Sequence, residues 1–154
     1  FKIGLEKGWK VSKKTLTKQI SKDDLSFHSV GWFQKRDSND KPLAEIEVAV
    51  AKVPIDKPLV SLKDLVVKQF GSDLVTIENY RKVGKTGQDI LFVHKNEKGE
   101  LVVERMYSFR DSNDRVFAIL GVAPINLYNE FAQDFYTAMA TFSSINVVTT
   151  TNKK

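Results

Sequence analysis

Cysteine is absent from the 154 residues. That absence removes thiolate nucleophiles, cysteine metal sites and thiol redox couples, and it leaves a chain of single-domain size to fold on its apolar core alone. No apolar run approaches the roughly 18 to 20 residues that span a bilayer as a helix. Histidine is scarce, with only His28 and His94, so imidazole chemistry has two places to start. An initiator Met and a hydrophobic leader are missing too, since the chain opens FKIGLEKGWK. A processed product is expected, derived from a precursor with a signal peptide or a lipid-anchor motif.

The first segment is short of acidic charge. Between residues 1 and 22, seven lysines (Lys2, Lys7, Lys10, Lys13, Lys14, Lys18 and Lys22) face a single acid, Glu6, whereas the remainder carries 17 basic and 18 acidic residues. The net charge of +5 therefore belongs to the first segment. A run of this kind either attracts an anionic partner or is a solvated, weakly structured arm, and the arm is the simpler expectation. If the segment does dock an acidic protein, Lys7, Lys10, Lys13, Lys14 and Lys18 supply the charge and Trp9 the apolar anchor.

Strand patterns fill the middle of the chain. Residues 25–36 place Leu25, Phe27, Ser29, Gly31 and Phe33 on one side and Ser26, His28, Val30, Trp32 and Gln34 on the other, a period of two. After DSNDKP, the run LAEIEVAVAKV sets Ala44, Ile46, Val48 and Val50 opposite Glu45 and Glu47, which completes a hairpin. From Thr76 to Ala123 the pattern is a four-strand antiparallel meander. Its last strand is apolar on both faces (Val116, Ala118, Leu120 and Val122 against Phe117, Ile119 and Gly121), as a central strand covered on both sides must be.

The pentapeptide RDSND occurs twice, at residues 36–40 and 110–114. A calcium loop of the EF-hand type needs Gly at its sixth position and Glu at its twelfth. Counting from Asp37 gives Pro42 and Val48, and from Asp111 gives Val116 and Val122. Two hairpin turns account for the repeat, because Asp, Ser and Asn side chains bond nearby backbone groups.

Two helices punctuate the strands. SLKDLVVKQFG offers Ser61 as N-cap, Leu62, Leu65, Val66 and Phe70 as a buried stripe, and Gly71 as the stop. NLYNEFAQDFYTAMATF, with Asn126 as expected cap, repeats Leu127, Phe131, Phe135, Ala138 and Phe142 at helical spacing. One helix after each block of strands lets both sheet faces be covered. The expectation is one domain over 1–148 with a frayed tail at 149–154. Its class is α+β, an α/β/α sandwich around an antiparallel sheet.

An N-terminal strand with Gly8-Trp9, the hairpin, the SLKDL helix opening at Ser61 to Leu65, the meander, and a terminal helix closing on ATFSSI (Ala140 to Ile145) together resemble the PsbP-like family. The likeness spans about the whole of residues 1–148. Lys7 stands where such proteins usually carry proline. The resemblance implies a non-enzymatic exported module, periplasmic or anchored to a membrane through an N-terminal lipid. It implies a scaffold that binds another macromolecule, and the sequence as a whole leads to the expectation of a monomer with a protein partner and with no nucleic acid, cofactor, metal or catalytic residue.

Chemical motifs do not compete strongly with that reading. A metal site would need His28 and His94 to converge with an acid such as Glu104 or Glu45. The stretch GKTGQD (Gly84 to Asp89) echoes a phosphate loop, but Asn79 stands where the first Gly is required and a strand follows instead of a helix, so a turn suffices. Nucleic acid would draw on the lysines with Trp9, Phe27, Trp32 and Phe33. The alternative function is a small-ligand carrier or an enzyme with its site between the sheet and a helix.

Overall fold

The computed structural model describes residues 1–12, 27–111 and 114–143. Along the chain lie β1 (Trp9–Val11), β2 (His28–Arg36), β3 (Pro42–Lys52), α1 (Leu62–Phe70), a 3-10 turn (Gly71–Asp73), β4 (Leu74–Val83), β5 (Gly87–Lys95), β6 (Leu101–Arg110), β7 (Arg115–Pro124) and α2 (Tyr128–Thr141). The strands form one antiparallel sheet in the order β1-β2-β3-β7-β6-β5-β4. The last strand in sequence is thus the middle strand in space, as its two apolar faces require. The expected tail at 149–154 lies outside the described residues.

Register assigns the faces. On one face Ala49 and Ala51 of β3, Val116, Ala118 and Leu120 of β7, Met106 of β6 and Ile90 and Phe92 of β5 pack with Leu62, Leu65 and Val66 of α1. On the other, Ile46, Val48, Phe117 and Ile119 pack with Phe131, Phe135 and Ala138 of α2. Each helix turns its predicted apolar stripe inward. The side-chain oxygen of Ser61 accepts from the Asp64 amide, and Gly71 at φ 52° stops α1 through its N–H to the Val67 carbonyl. Asn126 does not cap α2. Leu127 holds the cap position in helical backbone, its N–H bonded to the Pro124 carbonyl, so a turn feeds the helix without a side-chain cap.

Strand β2 departs from strict alternation. Ser29 pairs with Ala49, but Gly31 pairs with Val48, so Val30 is an extra residue in the strand. A bulge of this kind moves everything beyond it to the opposite face. Phe27 consequently belongs to the α1-side core and Phe33 to the α2-side core, although simple alternation places them together.

One solution serves three hairpins. Asp37, Asn96 and Asp111 each donate their amide to the carbonyl four residues on, at Lys41, Glu100 and Arg115. Asp37 Oδ1 also accepts the amides of Asn39 and Lys41 at 2.8 and 2.9 Å, and Asn96 Oδ1 those of Lys98 and Glu100 at 2.9 and 3.0 Å. At the first copy and at Asn96 the turn's first residue thus folds its side chain over the bend. At the second copy, Arg115 also forms an ion pair with Asp111.

Residues 1–12 do not form an arm, and residues 13–22 of the expected arm lie outside the described residues. Ile3, Leu5 and Trp9 pack into the α2-side core, Lys2 bridges to Ser143, and the Gly4 amide donates to Thr141 Oγ1 at 2.7 Å. Ile3, Leu5 and Trp9 are half-buried, while Lys2, Lys7 and Lys10 stay in water.

Candidate functional site

A cleft of about 340 Å³ opens where the β3–α1 loop, the start of α1 and the β4–β5 turn meet above the α1-side face. Its floor is fixed by Gln88 of β5, buried with every polar atom engaged. Gln88 Oε1 accepts the Leu62 amide at 2.7 Å and the Tyr80 hydroxyl at 2.8 Å, and its Nε2 donates to the Val60 carbonyl at 3.0 Å. Ser61 donates to the Tyr80 oxygen at 3.3 Å. These bonds tie the helix start to two strands, so the wall is built before anything binds.

Four cations line this wall. Lys57 comes from the β3–α1 loop, Lys82 from the end of β4, Lys85 from the turn and Arg110 from the end of β6; Ser61, Tyr80 and Thr86 add hydroxyls. No carboxylate or histidine is among the lining residues. Arg110 is held by its own donors, Nη1 to the Val53 carbonyl at 2.6 Å and Nη2 to the Lys57 carbonyl at 3.0 Å, bonds that leave its charge uncancelled. Lys57, Lys82 and Lys85 are exposed. Clustered cations with convergent donors favour an anionic group. The amides of Leu62 and Asp64 already have acceptors, so those two donors are not open and the start of α1 contributes its partial positive charge.

Other buried ionisable groups have different roles. Asp89 accepts from Arg105 through both oxygens, at 3.1 and 2.9 Å, and from Arg81 at 3.2 Å. Those bonds push Arg105 further up, and burial beside it raises Tyr128, the first residue of α2. This clamp joins β4, β5 and β6 next to the helix start. Glu47 is 6% exposed and its Oε2 has no hydrogen-bond partner. Burial is the main force lifting its pKa to about 7; a Ser29 hydrogen bond works against it and the charges of Glu45 and Glu104 add to it.

The two histidines do not converge. His94 Nε2 lies 2.6 Å from Glu104 Oε2 on the α1 side, whereas His28 pairs with Val50 and faces the other side of the sheet. Among the described residues no group of three His, Cys, Asp or Glu could hold a metal. Phe27, Trp32 and Phe33 are buried, which removes them as a stacking platform.

Of the docking residues read from the sequence, Lys7, Trp9 and Lys10 lie at or beside the β1 edge, and Lys13, Lys14 and Lys18 lie outside the described residues. Trp9 is already engaged. Its indole N–H donates to Asp134 Oδ2 at 2.8 Å and its ring meets Phe131 and Phe135 edge-on at 6.2 and 6.3 Å. The Lys7 carbonyl accepts from Lys35 Nζ at 2.7 Å. Sequence reasoning missed the cleft cations because they are scattered over a near-neutral stretch. The available signal was Lys82 and Lys85 flanking a Val-Gly turn.

No family model matches the chain, and no curated protein matches it. Among solved structures it is similar to LpqN, involved in cell envelope biogenesis of Mycobacterium tuberculosis, with a TM-score of 0.54 and 12% identity over 89% of this chain and 78% of that one. The likeness is one of fold. Among the described residues, no helix is long and apolar enough to cross a membrane.

Proposed function

We propose that this chain is a non-enzymatic binding module that works outside the cytoplasm, in the bacterial cell envelope, and that the cleft at the start of α1 is its ligand seat, holding an anionic group. The observation that carries the reading is the wall itself, with four cations and three hydroxyls but neither carboxylate nor histidine to serve as a general base. Two observations favour the compartment: the fold neighbour is involved in cell envelope biogenesis, and the PsbP-like resemblance includes exported bacterial proteins. A site between sheet and helix also suits a small-ligand carrier. The test is titration of the labelled protein with glycerol phosphate. Saturable amide shifts at Lys82, Lys85 and Gln88, lost in Lys82→Gln/Lys85→Gln, support the seat; no shift at any concentration sinks it.

A second reading has its own observation, the lysine surplus of residues 1–22. In that reading an acidic protein docks on the β1 edge, with Lys7 and Lys10 joined by Lys13, Lys14 and Lys18, and Trp9 serves as a brace for the edge. Replacing Lys10, Lys13, Lys14 and Lys18 with Gln should then abolish a salt-sensitive complex. A complex unchanged by that substitution removes the reading.

A further inference from the structure

The loop beside the cleft presents Ile55 to water, 69% exposed, next to the four cations. Its exposure is built in. Pro54 and Pro58 restrict the backbone on either side, the Lys57 amide closes a turn onto the Pro54 carbonyl at 3.0 Å, and Arg110 grips the carbonyls of Val53 and Lys57 on both sides of the tip. Ile55 is therefore held exposed at the turn, and this cleft end of the molecule carries an apolar residue beside Lys57, Lys82 and Lys85.

We propose that this end docks on a lipid surface bearing anionic phosphate headgroups, with Ile55 entering the boundary between headgroups and acyl chains and one phosphate seated in the cleft. The inference rests on the cleft reading and names the source of its anion. An apolar side chain beside lysines on adjacent turns is the arrangement that interfacial binding rewards, through partial burial of the apolar tip and attraction of the cations to the negative surface. A free anion would satisfy the cations and leave Ile55 in water. A protein partner would call for a broader apolar centre than this tip offers, since the apolar wall is otherwise only Pro58 and Leu59. Asp56 is the opposing charge on the loop; it lies outside the cleft wall, and the cations outnumber it.

The experiment is co-sedimentation of the full chain with vesicles of phosphatidylcholine alone and of phosphatidylcholine with phosphatidylglycerol, at low and high salt, beside the glycerol phosphate titration. Binding should be confined to the anionic vesicles and weaken with salt. Lys82→Gln/Lys85→Gln should lower it on the order of tenfold or more and weaken glycerol phosphate as well. Ile55→Ser should lower vesicle binding about tenfold, and its effect on vesicle binding should exceed its effect on glycerol phosphate several-fold. If glycerol phosphate binds and the anionic vesicles do not, the membrane inference falls and the cleft reading stands; if neither binds, both fall. Vesicle binding that ignores both variants, or tighter binding of an acidic peptide such as poly-glutamate, also overturns the inference, the second outcome in favour of a protein partner.

Discussion

The two faces of the sheet are built to different specifications. On the α2 side, the helix, the N-terminal segment and a dense set of rings form the layer, with the buried Asp89–Arg105 clamp beside the helix start. Phe117, Phe109 and Phe1 gather around Phe142, Trp9 meets Phe131 and Phe135, and Gly121 lets Phe135 lie against bare backbone. On the α1 side, the helix is nine residues long, and buried Gln34, Glu47, Gln88, His94 and Ser108 share the layer with the apolar core. Buried polar groups cost stability unless paired, so a face that keeps them gives up some of what the other face supplies. The contrast teaches where to look for function: the cleft sits on the side that carries most of the buried polar groups.

Breaking the ring-lined face should have the largest effect. Phe135 is 1% exposed, and Phe135→Ala should cost about 3 to 5 kcal/mol in denaturant unfolding. Gly121→Ala approaches the same ring from the other side, because an added Cβ would lie 2.4 Å from Phe135 Cγ, and it should cost about 1 to 3 kcal/mol. A stability change below half a kilocalorie in both would mean that the α2 layer is not the dominant core.

The polar face should respond to pH instead. Glu47 has its pKa lifted by burial from 4.5 to about 7. The folded state therefore holds the proton more tightly than the unfolded chain. The resulting stability is fully present below pH 4.5, is lost as pH rises through the folded value near 7, and amounts to at most about 3 kcal/mol. Glu47→Gln should flatten that decline and make the variant the more stable protein at pH 8. Unfolding midpoints at pH 5 and pH 8 check it, and equal pH slopes for the two proteins would contradict the buried-acid account.

Smaller effects sharpen the contrast. Trp9→Phe keeps the ring contacts and removes the indole donor to Asp134, so a loss of about 1.5 kcal/mol should appear in unfolding. Asp37→Ala frees two amides at an exposed turn and should cost about 1 kcal/mol. Lys85→Gln should change stability by less than about 0.5 kcal/mol while weakening glycerol phosphate, since an exposed lysine in a turn supports no packing.

Much of the fold was legible because it rests on local rules. Alternation marked the strands, the two-sided apolar pattern of residues 116–122 placed β7 at the centre, and Ser61 with Gly71 bounded α1. Failures occurred where one residue's conformation or a distant contact decided the outcome. Val30 as an extra residue cannot be seen in a period-two count, and Asn126 has the composition of a cap without the backbone of one. Alternation sets Glu47 with Glu45 opposite the apolar face, yet Ala49 and Ala51 continue its face into the core. The lysine-rich start was read by charge, which obscured the apolar spacing of Ile3, Leu5 and Trp9. The cleft was the least legible. Lys57, Lys82, Lys85 and Arg110 meet only after three separate connections fold together, and a sum of charges along the chain cancels them against distant acids.

The strand order also sets a timetable. β3 can take its inner neighbour only when β7 is available, since Glu47 pairs with Leu120 and Ala51 with Val116, and β7 is the last strand of the chain to be made. Until then the hairpin of β2 and β3 and the meander that begins at β4 are separate pieces, each with an open inner edge, and joining them closes a long loop before any contact rewards it. Folding of this molecule should therefore be limited by one late encounter along the β3–β7 seam, and the period before that encounter is when the chain is most exposed to pairing with a neighbour in place of itself.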